Sequence, residues 1–375
     1  MAQPALDRAR QEKARKYAQI RRRLTYADMV VAGILLLLLV FGGLSTRLAG
    51  SFTLPVVPAA TIYFAILMVA YGVLSAPLSY HRGFVLPKRY GLSTQKLTGW
   101  LGDAVKAGAL GGAMGAGVVA AVYWFMTSVP QIWWLLAWGF VVLVSLILTI
   151  LAPIVIVPIF FKMKPLADTE LRQRLEQLGQ RAGTKVGGIY TVELSSKGTT
   201  ANAALMGVSK TKRIVLSDTL LQQYSPSEIE VIMAHELGHH RHSDISRLFV
   251  VQSTILLIGL YVTDLMLKAT VVPLGFSSIS DVAALPLLIL IFAGVSLLMI
   301  PLTNSYSRHL EAAADDYALR LTDDPESFIT AMTKLTDQNL AEAQPSRWVE
   351  LLLYDHPSYN RRVEYAGYYL AHRPD

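Results

Sequence analysis

Six stretches of this chain, at about 27 to 46, 58 to 79, 104 to 127, 131 to 161, 246 to 267 and 283 to 303, are apolar over the roughly 20 residues that a helix needs to cross a bilayer core. Hydrocarbon offers no partner for backbone N–H and C=O groups, so each stretch must satisfy its own and reads as a helix. With 53% hydrophobic and 16% charged residues over 375 positions, the chain is too apolar for an ordinary soluble globule. The first run has a long basic leader and no small-x-small cleavage site before Arg47, which favours a retained anchor over a signal peptide. The third holds Gly108, Gly111, Gly112 and Gly115, whose spacing lets a neighbouring helix approach closely. The fourth exceeds what a bilayer requires and contains Pro153 and Pro158, which predict a kink or an exit near them. The chain has no cysteine, which excludes disulfides, thiol catalysis and Cys-ligated metals.

The net charge of +7 could point to nucleic acid, but its distribution argues otherwise. Eight of the basic residues crowd positions 8 to 23, directly ahead of the first span, where retention of positive charge on the cytoplasmic side accounts for them. The loop with His81, Arg82, Lys88, Arg89 and Lys96 is basic as well, as are the stretches after Phe161 and Leu302. The connections near Ser51, Val129 and Ser277 carry almost no charge. Six spans with both termini on the cytoplasmic side fit this alternation. The expected organisation is a basic arm at 1–26, a four-span domain at 27–163, a first protease segment at 164–245, two spans at 246–303 and a second protease segment at 304–375. Both polar segments then face the cytoplasm, where two halves of one site can meet.

In the first polar segment, Leu166, Leu171, Leu175 and Leu178 predict an amphipathic helix over Pro165 to Ala182. Short β-runs follow at Gly188 to Glu193, Thr200 to Met206 and Arg213 to Ser217, separated by Gly, Ser and Lys clusters, and predict a small antiparallel sheet. Ser225-Pro226-Ser227-Glu228 carries three agreeing helix-start signals: a serine cap, proline at the first helical position and glutamate at the capping-box position. That helix carries His235-Glu236-Leu237-Gly238-His239. At 3.6 residues per turn the two histidines lie about 40° apart around the axis and can reach one metal. Glu236, roughly 60° to 100° from them, stands where a base for zinc-activated water belongs.

A His-Glu-x-x-His can arise by chance, but chance does not add a capped helix. His240 and His242 are left out as ligands, and an extended histidine motif is absent because positions 242 and 245 are His and Ile. The best third ligand is Glu311, which helical spacing places with Arg308 and Asp315 within about 60° on one face. Glu311 would complete a His, His, Glu shell around one Zn²⁺ per chain, with Asp315 orienting a ligand histidine through its second ring nitrogen. The alternative is a solvated face with an Arg308–Glu311 pair.

These residues resemble the type I CAAX prenyl proteases, integral-membrane zinc metalloendopeptidases. The likeness runs through Arg89-Tyr90-Gly91-Leu92-Ser93-Thr94-Gln95 with Trp100, Asp103 and Lys106, then Pro158-Ile159-Phe160-Phe161 through Pro165-Leu166, and Asn202-Ala203. It continues in Asp218-Thr219-Leu220-Leu221, the His-Glu-Leu-Gly-His core, Ser307-Arg308 with Glu311 and Asp315, and Asp355-His356-Pro357-Ser358 with Arg362. The resemblance implies a mainly α, polytopic membrane protein with a zincin-like protease domain. It implies zinc ligation by His235, His239 and Glu311, catalysis by Glu236, and substrate-carbonyl or oxyanion contacts from Asn202 and His356. Arg362 would support the site through a carboxylate, with Asp315 a candidate partner and Arg308 nearby. Read alone, Asn202 fits a turn and His356-Pro357 a helix stop. Two departures stand out: many members carry a seventh span where six are counted here, and Ala204 replaces a common aromatic.

The expected activity is hydrolysis of membrane-associated or prenylated polypeptides, with membrane lipids as the other partner. General membrane-protein quality control is the alternative substrate class. A catalytically silent metal-binding scaffold or transporter is the reading from outside enzymology, and the intact Glu236 argues against it.

Overall fold

A computed structural model describes residues 6–207 and 212–372, so the Gly-Ser-Lys connection before the last predicted strand lies partly outside them. Among the described residues, six helices are long and apolar enough to cross a membrane. Helix α1 (Arg8–Phe41) starts at Asp7, whose carboxylate accepts from the N–H groups of Ala9 and Arg10. The basic arm and the first span are therefore one unbroken helix. Helices α2 (Val56–Tyr80), α3 (Leu97–Ser128) and α4 (Trp133–Leu151) follow.

At the end of α4 the expected distortion takes the form of a π-turn over Ala152–Ile156, around Pro153. Proline cannot donate to the preceding turn and clashes with it, and a widened turn accommodates both defects. A short helix (Val157–Phe160) then gives way to strand β1 (Met163–Pro165), where the chain leaves the apolar run. Of the third-span glycines, Gly115 carries the close approach: a Cβ there would sit 2.6 Å from the Phe64 ring of α2. Gly108 and Gly111 face open space. Polar groups knot the spans internally. Ser45 bonds the Tyr63 hydroxyl at 2.7 Å and donates to the Ala283 carbonyl, and the Trp133 indole donates to Asp264 at 2.6 Å.

The predicted amphipathic helix is α5 (Thr169–Arg181), capped by Asp168, with Leu171, Leu175 and Leu178 buried. Strands β2 (Ile189–Val192), β3 (Ala203–Met206) and β4 (Arg213–Ser217) join β1 in the order β1-β2-β4-β3. The sheet is mixed rather than antiparallel, because β2 and β4 pair in parallel. The reason lies in β4. Ile214, Val215 and Leu216 are all buried, so this strand is covered on both faces and takes a central place with β3 folded back on its far side.

Helix α6 (Pro226–Arg241) has its full capping box: Ser225 receives the Glu228 N–H and Glu228 receives the Ser225 N–H. Two long helices, α7 (Asp244–Thr270) and α8 (Leu285–Thr322), then connect through the last two spans, and α8 runs on into the protease part. Helices α9 (Pro325–Gln338), α10 (Arg347–Leu353) and α11 (Tyr359–Ala371) complete the chain. One apolar core unites Leu175, Ile214, Leu216, Met233, Leu237 and Phe328, so α6 lies inside the protein on nearly every side.

Candidate metal centre

Helix α6 meets α8 at Gly238, where an added Cβ would lie 3.2 Å from both the Ala314 Cα and the Tyr317 Cβ. Only glycine permits this separation without displacement, and it sets both histidines of α6 opposite Glu311 of α8. His235 Nε2 lies 3.3 Å from one Glu311 oxygen and His239 Nε2 lies 3.3 Å from the other. The remaining ring nitrogens point to carboxylates, His235 Nδ1 to Asp315 at 2.8 Å and His239 Nδ1 to Asp244 at 3.0 Å.

Those contacts determine what the centre can hold. When the rings are neutral and each Nδ1–H is donated to its carboxylate, each Nε2 presents a lone pair to the space beside Glu311, with the two Nε2 atoms 3.2 Å apart. Glu311 Oε2 is buried without a hydrogen-bond partner. Donor atoms of His235, His239 and Glu311 all lie within 4.8 Å of one another, which could hold a metal ion. A two-nitrogen, one-carboxylate set suits zinc and leaves a fourth position open.

In the metal-free site, burial lowers the proton affinity of His235, but Asp315 and Glu311 outweigh it and raise its pKa to about 9. A metal must therefore displace a proton. Burial raises the Glu236 pKa above the usual carboxylate range, although the two histidines oppose the shift. Arg362 donates to both oxygens of Asp315, at 2.8 and 2.5 Å, and so fixes the carboxylate that fixes His235.

His235, Glu236, Asn202, His356 and Arg362 line one cavity of about 450 Å³. The backbone of Asn202 is pinned by Ser217 from both sides, its N–H donating to Ser217 Oγ at 3.0 Å and its carbonyl accepting from the Ser217 N–H at 2.9 Å. His356 Nε2 reaches Glu311 at 3.2 Å while its Nδ1 meets Asp355 at 2.8 Å. The Asp355 contact raises the His356 pKa against the effect of burial, with Glu311 adding to the rise.

Arg308 keeps the helical face expected of it but pairs elsewhere. It donates to the Glu350, Leu351 and Tyr354 carbonyls and touches neither carboxylate of its own helix. The open carbonyls at the end of α10 are a ready acceptor set for a guanidinium, and their capture fixes the turn that leads to His356. His240 lies beside Lys212, and the His242 ring meets Tyr317 edge-on, so both are away from the ligand cluster.

Sequence reasoning missed Asp244. On a continuous helix, an acid five residues beyond His239 would point about 140° away from it. Instead Ser243 adopts a left-handed conformation at φ 59°, which breaks the helix and turns the Asp244 carboxylate back onto His239. An acid following a serine at a helix break is the signal that could have marked it.

The sequence profile of peptidase family M48 matches residues 165–369, and the profile described as the CAAX prenyl protease N-terminal region, with five membrane helices, matches residues 2–162. This chain belongs to that family. It is a multi-pass membrane metalloprotease of the CAAX protease type, although over 2–162 the described residues hold four long apolar helices rather than five. The metalloprotease YhfN of Bacillus subtilis is 29% identical over 94% of this chain and 84% of its own. A CAAX prenyl protease 1 homologue from Oryza sativa is 29% identical over 80% of this chain and 71% of its own. The fold matches the crystal structure of S. mikatae Ste24p with a TM-score of 0.86 at 21% identity, covering 97% of this chain and 91% of that one.

Proposed function

We propose that His235, His239 and Glu311 hold one Zn²⁺ and that the loaded site hydrolyses peptide bonds in membrane-associated or prenylated polypeptides, with Glu236 as general base. The observation that carries this reading is the convergence of the three donor side chains within 4.8 Å of one another, at the edge of the cavity that His235 and Glu236 line. Zinc, when bound, supplies a Lewis acid that polarises a carbonyl and lowers the pKa of water. Glu236 takes the proton of the attacking water and returns it to the leaving amine, and burial raises its proton affinity in the sense this task needs. His356, whose proton affinity the Asp355 contact raises, donates toward the oxyanion together with the Asn202 amide. Asp315 and Arg362 hold the His235 ring, and Asp244 holds that of His239. Strand β3 is an edge of the sheet, so a substrate can add a strand beside residues 200–206.

The basic loops favour a cytoplasmic site and cytoplasmic termini, with protease segments 164–245 and 304–375 carried on spans within 27–163 and 246–303. Homologues named CAAX prenyl protease 1 favour a prenylated substrate over general quality control. The test is Glu236→Gln, assayed with a farnesylated peptide and with an unmodified membrane polypeptide. Zinc content should be retained while kcat falls by roughly 10² to 10⁴. Undiminished cleavage would sink the mechanism, and equal wild-type rates on both substrates would remove the preference for prenylation.

A further inference from the structure

Next to the metal cavity lies a larger one, of about 820 Å³. Ala18 and Met29 of α1, Ile300 of α8 and Leu352 of α10 form much of its wall, with Arg21 and Arg22 between the two α1 residues. The two cavities adjoin through common wall residues, Asn339, Ala341, Glu342, Tyr354 and Asp355. From Tyr17 to Met29 the wall follows twelve residues of helix, about 18 Å, the reach of about five extended residues. Ile300 belongs to the apolar stretch of the sixth span, so this end of the cavity lies at bilayer depth.

The dividing wall is held firmly on both sides. On one, the Asp7 N–H and the Gln11 amide each donate to the Asp337 carboxylate at 3.0 Å, the Ala343 N–H donates to Gln11 at 3.1 Å, and Arg22 pairs with Glu342 at 2.9 Å. On the other, the Ala201 N–H donates to Asn339 at 3.0 Å and the Asn339 amide donates to the Ala201 carbonyl at 3.2 Å, one residue before Asn202. Leu340, between these anchors, is forced to φ 47°, a left-handed conformation that a leucine adopts only when its surroundings impose it. The N-terminal helix thus builds a wall that ends at the strand edge facing the candidate catalytic cavity.

We propose that this second cavity is a subsite for an apolar flank of the polypeptide substrate, about five residues long, which passes the shared wall while the scissile bond lies at the metal centre. The proposal rests on the proteolytic reading of that centre. Adjacency of the two cavities along five shared residues, and apolar lining from Met29, Leu297, Ile300 and Leu352, favour an apolar flank.

Because the chain has no cysteine, Ala18→Cys in the Glu236→Gln background gives a single label site. Two peptides should be compared with Gly-Ser counterparts, one with five leucines on the amino side of the cleaved bond and one with them on the carboxyl side. One leucine peptide should slow maleimide labelling of Ala18→Cys about tenfold, as burial of leucine side chains implies, while its counterpart does not. Labelling at Arg23→Cys, outside both cavities, is the control. With Glu236 intact, Ile300→Trp should reduce the kcat/KM preference for the protecting peptide over its counterpart by about tenfold. Protection by neither leucine peptide, or equal protection by leucine and Gly-Ser flanks, overturns the subsite. Absence of cleavage of every peptide by the wild type would count against the protease reading alone, and the labelling would still decide the subsite.

Discussion

Helix α4, in the membrane part, has no fully buried residue in its most apolar stretch, whereas α6, in the protease part and far less apolar, is buried on nearly every face. The two solvents account for the inversion. In a bilayer an apolar side chain gains little by turning inward, so beside apolar contacts such as Leu260, Ile291 and Val295 the spans also hide polar pairs, Trp133 on Asp264 and Ser45 on Tyr63. In water the apolar groups form the core, and the charged groups buried with them require partners. Each part therefore contains a buried aspartate, Asp264 and Asp315, and the two should respond differently to the same change.

The largest effect is expected at Asp315→Asn. It would leave Arg362, which donates to both Asp315 oxygens, without a counter-charge, and it would loosen the His235 ring. Removing one member of such a pair costs about 3–5 kcal/mol, and losing the support of a ligand histidine weakens metal binding roughly 10- to 100-fold. Denaturant unfolding and a zinc titration measure the two losses. A variant within about 1 kcal/mol of wild type would show that the contrast between the regions is wrong.

Acidity should separate the loaded and the chelated protein. In the metal-free protein His235 has a pKa of about 9, above its ordinary value near 6.5. Its protonation therefore stabilises the fold fully below about pH 6.5, and that contribution is lost as pH rises through about 9. Metal binding has the opposite sense, because the ligand must give up its proton. Zinc affinity should fall by at least about tenfold per pH unit below about 9, because His235 gives up a proton to the metal and His239, whose pKa is raised as well, adds to the loss. Melting curves with and without chelator from pH 6 to 9 should converge toward the acid end. Parallel curves would mean that no proton is exchanged for the metal.

Asp244→Asn is expected to cost about tenfold in zinc affinity with little change in unfolding, because His239 would lose a charged partner and keep its place on α6. It also marks where sequence reading stopped. The spans, the capped helix, the His235–His239 pair and the Glu311–Asp315 pair were legible because each follows from periodicity along one continuous element, and the meeting of the two pairs was expected from their complementary ligand sets. Asp244 was hidden behind the left-handed turn at Ser243, and Arg308, although on the expected face, is long enough to reach the α10 carbonyls instead. The mixed order of the sheet could have been read from three successive apolar residues in β4, a pattern of burial on both faces that an antiparallel edge strand does not need.

The smallest effect should come from the membrane aspartate. Asp264 accepts from the Trp133 indole at 2.6 Å and from Lys268 at 2.8 Å, and the Lys268 side chain is 43% exposed. Asp264→Asn keeps a carbonyl oxygen for the indole, and Lys268 can extend its ammonium toward the interface rather than stay buried unpaired. The expected loss is about 1 kcal/mol in detergent-based unfolding, in line with polar contacts between membrane helices. Asp264→Leu, which also removes the indole's acceptor, should cost more. If Asp264→Asn destabilised as strongly as Asp315→Asn, the ion pair rather than the indole bond would be holding the spans, and both regions would obey the same rule for buried charge.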